Sequence, residues 1–300
     1  MENDEQPFPE GMSETEKVAE LVRLLTLEQQ TENHFLGQRK LGGIGRIFGG
    51  QVVAQALAAA QLTVADDRRP HSLHAYFLRG GNEDYRIEFS VERDFDGGSF
   101  SNRRVIAAQN GVPILNLIAS FHRHEDGYEH AAPMPDVPGP EDLEREDEVI
   151  RRLTGDKDGF SNLRRNRGYE VRIPGDRFLS GQLSNAPAFV WFKVMAPLPD
   201  DPAIHRLVLT YLSDYGLLSA SLFPHDISLT TSAKVRPASL DHAIWFHCDA
   251  RADDWLLYAL DSPWAGNARG FNRGSFYTRD GRLVASTAQE GLIRPIKPKG

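Results

Sequence analysis

Apolar residues first recur at helical spacing as Val18, Leu21, Val22 and Leu25, behind Ser13 and Glu16 at the separation of a capping box. A helix is predicted there. A second stretch, residues 51–62 (QVVAQALAAAQL), is small or apolar on nearly every side, the pattern of a helix buried all round. Gly49 and Gly50 precede it and suit a tight entry or a close backbone contact. From His71 to about His124 the pattern changes to strands: HSLHAYFLR, YRIEFSVERDF, SFSNRRVIAAQ and PILNLIASFHR. Turns at 96–98 (DGG) and 110–111 (NG) separate several of these runs, and NG is a strong hairpin signal.

Residues 126–167 read differently. Pro133, Pro135, Pro138 and Pro140 come first, followed by the charged run 141–148 (EDLEREDE). This predicts a surface connector with some helix, its charges forming a solvated face. From residue 168 the earlier order returns: strands GYEVRI and AFVWFKVMA, a helix from about Ala203 to Ser213, then strands to the end.

Matched letters accompany the matched order. HAYFLR (74–79) parallels HAIWFH (242–247) at an offset of 168. Asp84-Tyr85 and Asp254-Trp255, Asn102-Arg103 and Asn272-Arg273, and Gly111 and Gly281 are offset by 170. The chain is therefore expected to be an α+β protein with units at 1–125 and 168–300. Each unit is a curved antiparallel sheet wrapped around a central helix, the hotdog arrangement, here a double hotdog.

Composition narrows the function. Apolar residues make up 40% of the 300, enough for a core, and the net charge of −8 argues against nucleic acid as partner. An anionic ligand would need a local cluster of Arg or Lys. No apolar run is long enough for a membrane span, and the acidic N-terminus lacks the features of a signal peptide. The single cysteine, Cys248, cannot form an internal disulfide and fits a reducing cytoplasm. It follows His247, but neighbours on a strand point to opposite faces, so Cys248 is read as structural rather than nucleophilic. His122, His124 and His130 with their acidic neighbours meet no recognised zinc spacing and read as polar surface, so no metal is expected. No G-x-S-x-G is present, and GGIGRIFGGQ fits neither the Walker A nor the dinucleotide pattern.

RIFGGQVVAQAL, HSLHAYFLRGG, DGGSFSNRRVIAAQNG and ASF resemble the first half of the bacterial acyl-CoA thioesterase II family. YLSDYGLL, SLDHAIWFH, WLLY, ARGF and RGSFYTRDGRLVASTAQEG resemble its second half. The resemblance runs from about Leu24 to Arg294. It implies a double hotdog that hydrolyses medium- to long-chain acyl-CoA without metal or cofactor, as a homo-oligomer, dimer or tetramer. It also implies a site in which an Asp, a hydroxyl and a Gln hold the attacking water. Carried over residue by residue, these fall on Asp214, Ser239 and Gln289. The family more often has Thr at the Ser239 position and Pro at that of Gly80. Ala119 stands where Gln289 would recur in the first copy, so one active site per chain is expected.

These residue types suit the reaction. A thiol leaving group, with a pKa of roughly 8.5, needs no strong acid. A base, groups that orient water and donors for an oxyanion suffice. Asp214 lies among Tyr211, Leu212, Leu217 and Leu218, where burial would raise its pKa and make it a better base. Arg103, Arg104, Arg269 and Arg273 are candidates for the phosphates of CoA, against a reading as structural ion pairs. His74 and His242, at matched repeat positions, are read as partly buried polar groups or as lining the site. The competing functions are a hotdog hydratase or dehydratase acting on acyl thioesters, and a non-catalytic acyl-CoA binder.

Overall fold

The computed structural model describes residues 11–155, 167–175, 179, 187–225, 227 and 235–296. α1 (Glu14–Leu25) begins on the expected capping box: Ser13 Oγ accepts from the Glu16 N–H at 3.3 Å, and the Glu16 carboxylate accepts from the Ser13 N–H at 2.7 Å. α2 (Gly49–Gln61) is buried from Gly50 through Ala60. Its two glycines answer to close approach. A Cβ on Gly50 would lie 2.3 Å from the Tyr211 carbonyl oxygen, and one on Gly49 would lie 2.7 Å from the Asp214 carboxylate.

The first unit's strands are β1 (Glu28–Thr31), β2 (His34–Leu36), β3 (Arg69–Phe77), β4 (Glu88–Asp96), β5 (Phe100–Gln109) and β6 (Val112–His122). The β5–β6 hairpin turns at Asn110 and Gly111, with φ of 50° and 74°, both left-handed as a type I′ turn requires. Then come β7 (Glu144–Arg145), α3 (Glu146–Thr154), β8 (Tyr169–Ile173), β9 (Ala188–Val194) and α4 (Pro202–Ser213). The chain closes with β10 (Val235–Ser239), β11 (Asp241–Phe246), β12 (Leu256–Gly266), β13 (Arg269–Thr278) and β14 (Leu283–Pro295).

All these strands join one antiparallel sheet, ordered β1-β2-β4-β5-β6-β3-β11-β14-β13-β12-β9-β8-β7, with β10 on the far half of β14. Outward from the β3–β11 seam the sequence is β6, β5, β4 on one side and β14, β13, β12 on the other, the same order twice. α2 packs on β3, β4, β5 and β6 and against α4. Side chains from both units, among them Leu57, Leu73, Leu212, Ile244 and Phe276, fill one core. Among the described residues no helix is long and apolar enough to cross a membrane.

Two expectations are corrected. Gly111 and Gly281 do fall at matched turns, but the matched His and Asn letters of the repeat are not matched positions. Ala243 pairs with His74 across the seam, so His242 faces Ala75 instead. His242 is fully buried, whereas His74 is exposed, edge-on to Trp245 at 5.2 Å. Likewise Asn272 is buried while Asn102 is half-exposed. Four residues before each hairpin's bulge, the cross-strand pair is Arg103 with Ala119 in the first unit and Asn272 with Gln289 in the second. A slip of one residue turns a strand's side chains to the other face, so letter matching placed His74 and Asn102 on the wrong side.

The charged run is also not wholly solvated. Glu146 and Asp147 are buried. Glu146 accepts a hydrogen bond from the Tyr215 hydroxyl and pairs with Arg167 at 2.5 Å. β7 adds to the sheet beside β8, so Glu144–Arg145 of the expected connector are built into the second unit's sheet.

Candidate active site

Asp214 is the C-terminal cap of α4, held where that helix meets the start of α2. The first turn of any helix has N–H groups without partners. The N-cap of α2, Phe48, offers no side-chain acceptor. Asp214 arrives from the other unit to fill that role: its Oδ2 accepts from the Gly50 N–H at 2.9 Å. Its Oδ1 accepts from Gln289 Nε2 at 2.7 Å. Burial pushes the Asp214 carboxyl up to about 6; the bonds from Gln289 and Gly50 and the charge of Arg46 act against that rise.

Gln289 is itself fixed from behind. Its Nε2 also lies 3.1 Å from His242 Nδ1. His242 Nε2 is 2.8 Å from Ser213 Oγ, whose hydroxyl donates to the Thr210 carbonyl at 2.7 Å. The serine proton being used, His242 donates from Nε2 and accepts at Nδ1, a neutral ring with one tautomer. Burial agrees, lowering the His242 pKa to about 3. Both neighbours of the Gln289 amide nitrogen are therefore acceptors, which sets the amide's orientation. The chain rests on Tyr258, whose hydroxyl donates to the Ser213 carbonyl at 2.7 Å.

Ser239 stands where β14 changes partner. It pairs with Gly291, the next residue's N–H donates to the Glu290 carbonyl, and the Glu290 N–H donates to Asp241 Oδ1 at 2.6 Å. Gly291 and Gln289 share a face of β14, so Ser239 looks toward the Gln289 side. Ser239 and Asp214 line a pocket of about 200 Å³ together with Gly49, Val52, Phe77 and Leu218. Gln289 is not in that lining; it touches the pocket through Asp214.

The structure thus brings Asp214 and Gln289 into contact, sets Ser239 on the same pocket, and puts His242 behind Gln289. His74 lies on the outer face of the sheet. The four arginines picked from sequence are occupied elsewhere. Arg103 is buried, bonded through Nε and Nη2 to Thr63, through Nη1 to the Phe95 and Asn102 carbonyls, and paired with Asp96 at 2.8 Å. No donor is left for a phosphate. Arg104 pairs with Glu92 and Asp94, Arg269 with Glu290 at 3.1 Å, and Arg273 with Asp261, Nε to Oδ1, at 2.9 Å. Arg46 and Arg79 line the pocket instead. Sequence reading missed both, although each sits inside a motif it quoted, RIFGG and FLRGG. Cys248 lies away from the pocket, its Sγ 3.4 Å from the Leu283 carbonyl, and burial raises its thiol pKa.

A doubled strand order, a seam at β3–β11 and a helix wrapped by the sheet define a double-hotdog protein. A hot-dog-fold protein of unknown function from Alicyclobacillus acidocaldarius shares this fold at a TM-score of 0.71, over 92% of this chain and 98% of its own, with 19% identity. The chain belongs to the acyl-CoA thioesterase family. The family model for acyl-CoA thioesterase matches residues 162–292, and that for the acyl-CoA thioesterase N-terminal domain matches 38–122. Acyl-CoA thioesterase 2 of Haemophilus influenzae is 36% identical over 280 residues, 91% of this chain and 96% of its own. The crystal structure of acyl-CoA thioesterase II TesB2 from Mycobacterium marinum matches at a TM-score of 0.76 and 39% identity, over 92% of this chain and 98% of that one.

Proposed function

We propose that this protein hydrolyses acyl-CoA to a free fatty acid and CoA, using a water activated by Asp214 and no covalent intermediate. One observation carries the reading. A carboxylate anchored by one N–H on each oxygen faces a pocket that it shares with a serine hydroxyl. Its remaining lone pairs can take a proton from water in that pocket. With a pKa of about 6 it is ionised at neutral pH yet more basic than an exposed aspartate. Ser239 can accept from or donate to the same water and fix its angle.

Attack on the thioester carbonyl forms a tetrahedral oxyanion. The C–S bond then breaks and the proton held by Asp214 returns to the departing thiolate or to solvent. The oxyanion forms near the start of α2, where the partial positive charge of the helix and the Gly49 N–H can stabilise it. Gln289 is assigned a positioning role, holding Oδ1 so that the rest of the carboxylate faces the water. His242 keeps the Gln289 amide in the orientation that does so. The apolar side of the pocket, including Phe77 and Leu218, suits a medium to long acyl chain. Open sheet edges at β1 and β7 and a single cysteine fit a homo-oligomer, dimer or tetramer, in the cytoplasm.

The test mixes palmitoyl-CoA with a thiol reagent and either the native protein or Asp214→Asn. Thiol release by the native protein, reduced at least 100-fold in the variant, is the expected result. Equal release by both removes Asp214 from the mechanism. No release by either, with loss of absorbance from an enoyl-CoA, would point to a hydratase.

A further inference from the structure

Most arginines among the described residues are neutralised by carboxylates. Arg103, Arg104, Arg269 and Arg273 are examples, each in an ion pair. The two arginines that line the Asp214 pocket depart from this habit. Both are exposed, and among the described residues neither has a carboxylate within ion-pair distance. The one side-chain bond recorded for Arg79 is from Nη1 to the Pro113 carbonyl at 2.8 Å, which leaves the other donors of its guanidinium open.

The two arginines are also brought side by side. Arg46 forms an isolated bridge with Asn82, and its Nε lies so near the backbone that a Cβ on Gly80 would sit 3.1 Å away. Gly80 directly follows Arg79, so both cationic side chains rise from adjoining stretches at one rim of the pocket. In a chain of net charge −8, two guanidinium groups without an ion pair among the described residues, sharing a pocket with one carboxylate, are a local excess of positive charge. With no ion pair of their own, they suit a planar or tetrahedral polyanion. The thioester of an acyl-CoA is neutral before attack and brings no counter-charge of its own. The charge that such a substrate carries is on the phosphates at the far end of the pantetheine arm.

We propose that Arg46 and Arg79 form the phosphate-recognition rim of this site, binding the phosphates of CoA while the thioester reaches Asp214. This rests on the acyl-CoA hydrolase reading and names the part of the pocket that distinguishes CoA esters from other thioesters.

The experiment compares palmitoyl-CoA with S-palmitoyl-pantetheine, which has the same thioester and no phosphate, at pH 8 where Asp214 stays ionised. Arg46→Ala and Arg79→Ala should each raise KM for palmitoyl-CoA about tenfold, the weight of a charge-assisted contact, with kcat within about twofold. KM for the pantetheine ester should not move. Arg104→Ala and Arg273→Ala, which remove ion-paired arginines, should leave both substrates unchanged. An unchanged KM for palmitoyl-CoA, or an equal rise for the two esters, overturns the proposal. Calorimetric titration with free CoA separates it from the hydrolase reading. Binding by the native protein that is lost in the double variant supports the rim even if neither ester is cleaved, and CoA binding retained by the double variant overturns it.

Discussion

The two hairpins that close on the two central helices face the same task and solve it oppositely. At the C-terminal end of α4, β13 and β14 present Asn272 and Gln289, and Gln289 donates to Asp214. Near the C-terminal end of α2, β5 and β6 present Arg103 and Ala119, and Arg103 donates to the side chain and carbonyl of Thr63. One position holds an amide that steadies a carboxylate at a pocket. The other holds a guanidinium that fills the space and spends its donors on the protein. The helix starts differ in the same sense. α4 is capped by its own Asp201, which accepts from the Ala203 N–H at 2.9 Å, whereas α2 has no cap of its own and recruits Asp214. Duplicated frames can thus keep their packing and divide their chemistry. Where a carboxylate is aimed at a cavity the copy can act, and where an arginine locks the same place the copy contributes rigidity.

The sharpest break in this comparison is Gln289→Ala, which gives the second hairpin the side chain of Ala119. Turnover should fall about 100-fold, as for loss of one positioned hydrogen bond to a catalytic base. The pH profile adds a signature that a merely structural change would lack. As the proposed base, Asp214 acts only when ionised, so native turnover should be lost as pH falls through about 6 and be complete above it. The Gln289 N–H favours the anion, so its removal should move that midpoint upward. A midpoint that stays at the native value would exclude Gln289 from holding the base.

Arg103→Ala should act on the other side of the comparison. Removing a buried, fully bonded guanidinium leaves a cavity and unpaired acceptors, a loss of about 2–4 kcal/mol in urea unfolding. The kcat of the folded fraction should stay native. A fall in kcat with unchanged stability would mean that the first hairpin takes part in the chemistry. His242→Phe should lower kcat about tenfold by releasing the Gln289 amide, with KM unmoved. The smallest effect is expected for Ser239→Thr, which keeps the hydroxyl and adds a rotamer restriction. Its kcat should stay within about threefold of native, whereas Ser239→Ala should cost about tenfold. Equal rates for the alanine and threonine variants would remove the hydroxyl from the site.

Local features were readable because local residues cause them. The capping box at Ser13 and Glu16, the all-round burial of α2, the type I′ turn at Asn110-Gly111 and the doubled order of helix and strands follow from spacing, side-chain size and turn chemistry. The resemblance of long motifs pointed to Asp214, Ser239 and Gln289, and the geometry places all three at or directly behind one pocket. What letters could not give was which face each strand residue takes. The offset of 168 equated His74 with His242, yet the seam pairs His74 with Ala243 and turns one histidine outward and the other into the core.

The sequence by itself therefore determined the elements and their repetition, because these depend on residue type and short-range spacing, while the carboxylate, hydroxyl and amide at Asp214, Ser239 and Gln289 were named by the resemblance of long motifs rather than by spacing. Only the tertiary structure decided the rest. It set Asp214 on the start of a helix 164 residues away in sequence, buried Arg103 against Thr63 and Asp96, and left Arg46 and Arg79 without an ion pair among the described residues in the lining of the pocket. Those outcomes depend on long-range register and on which charges fold together, and a strand's neighbours across a sheet are not encoded in its own few residues.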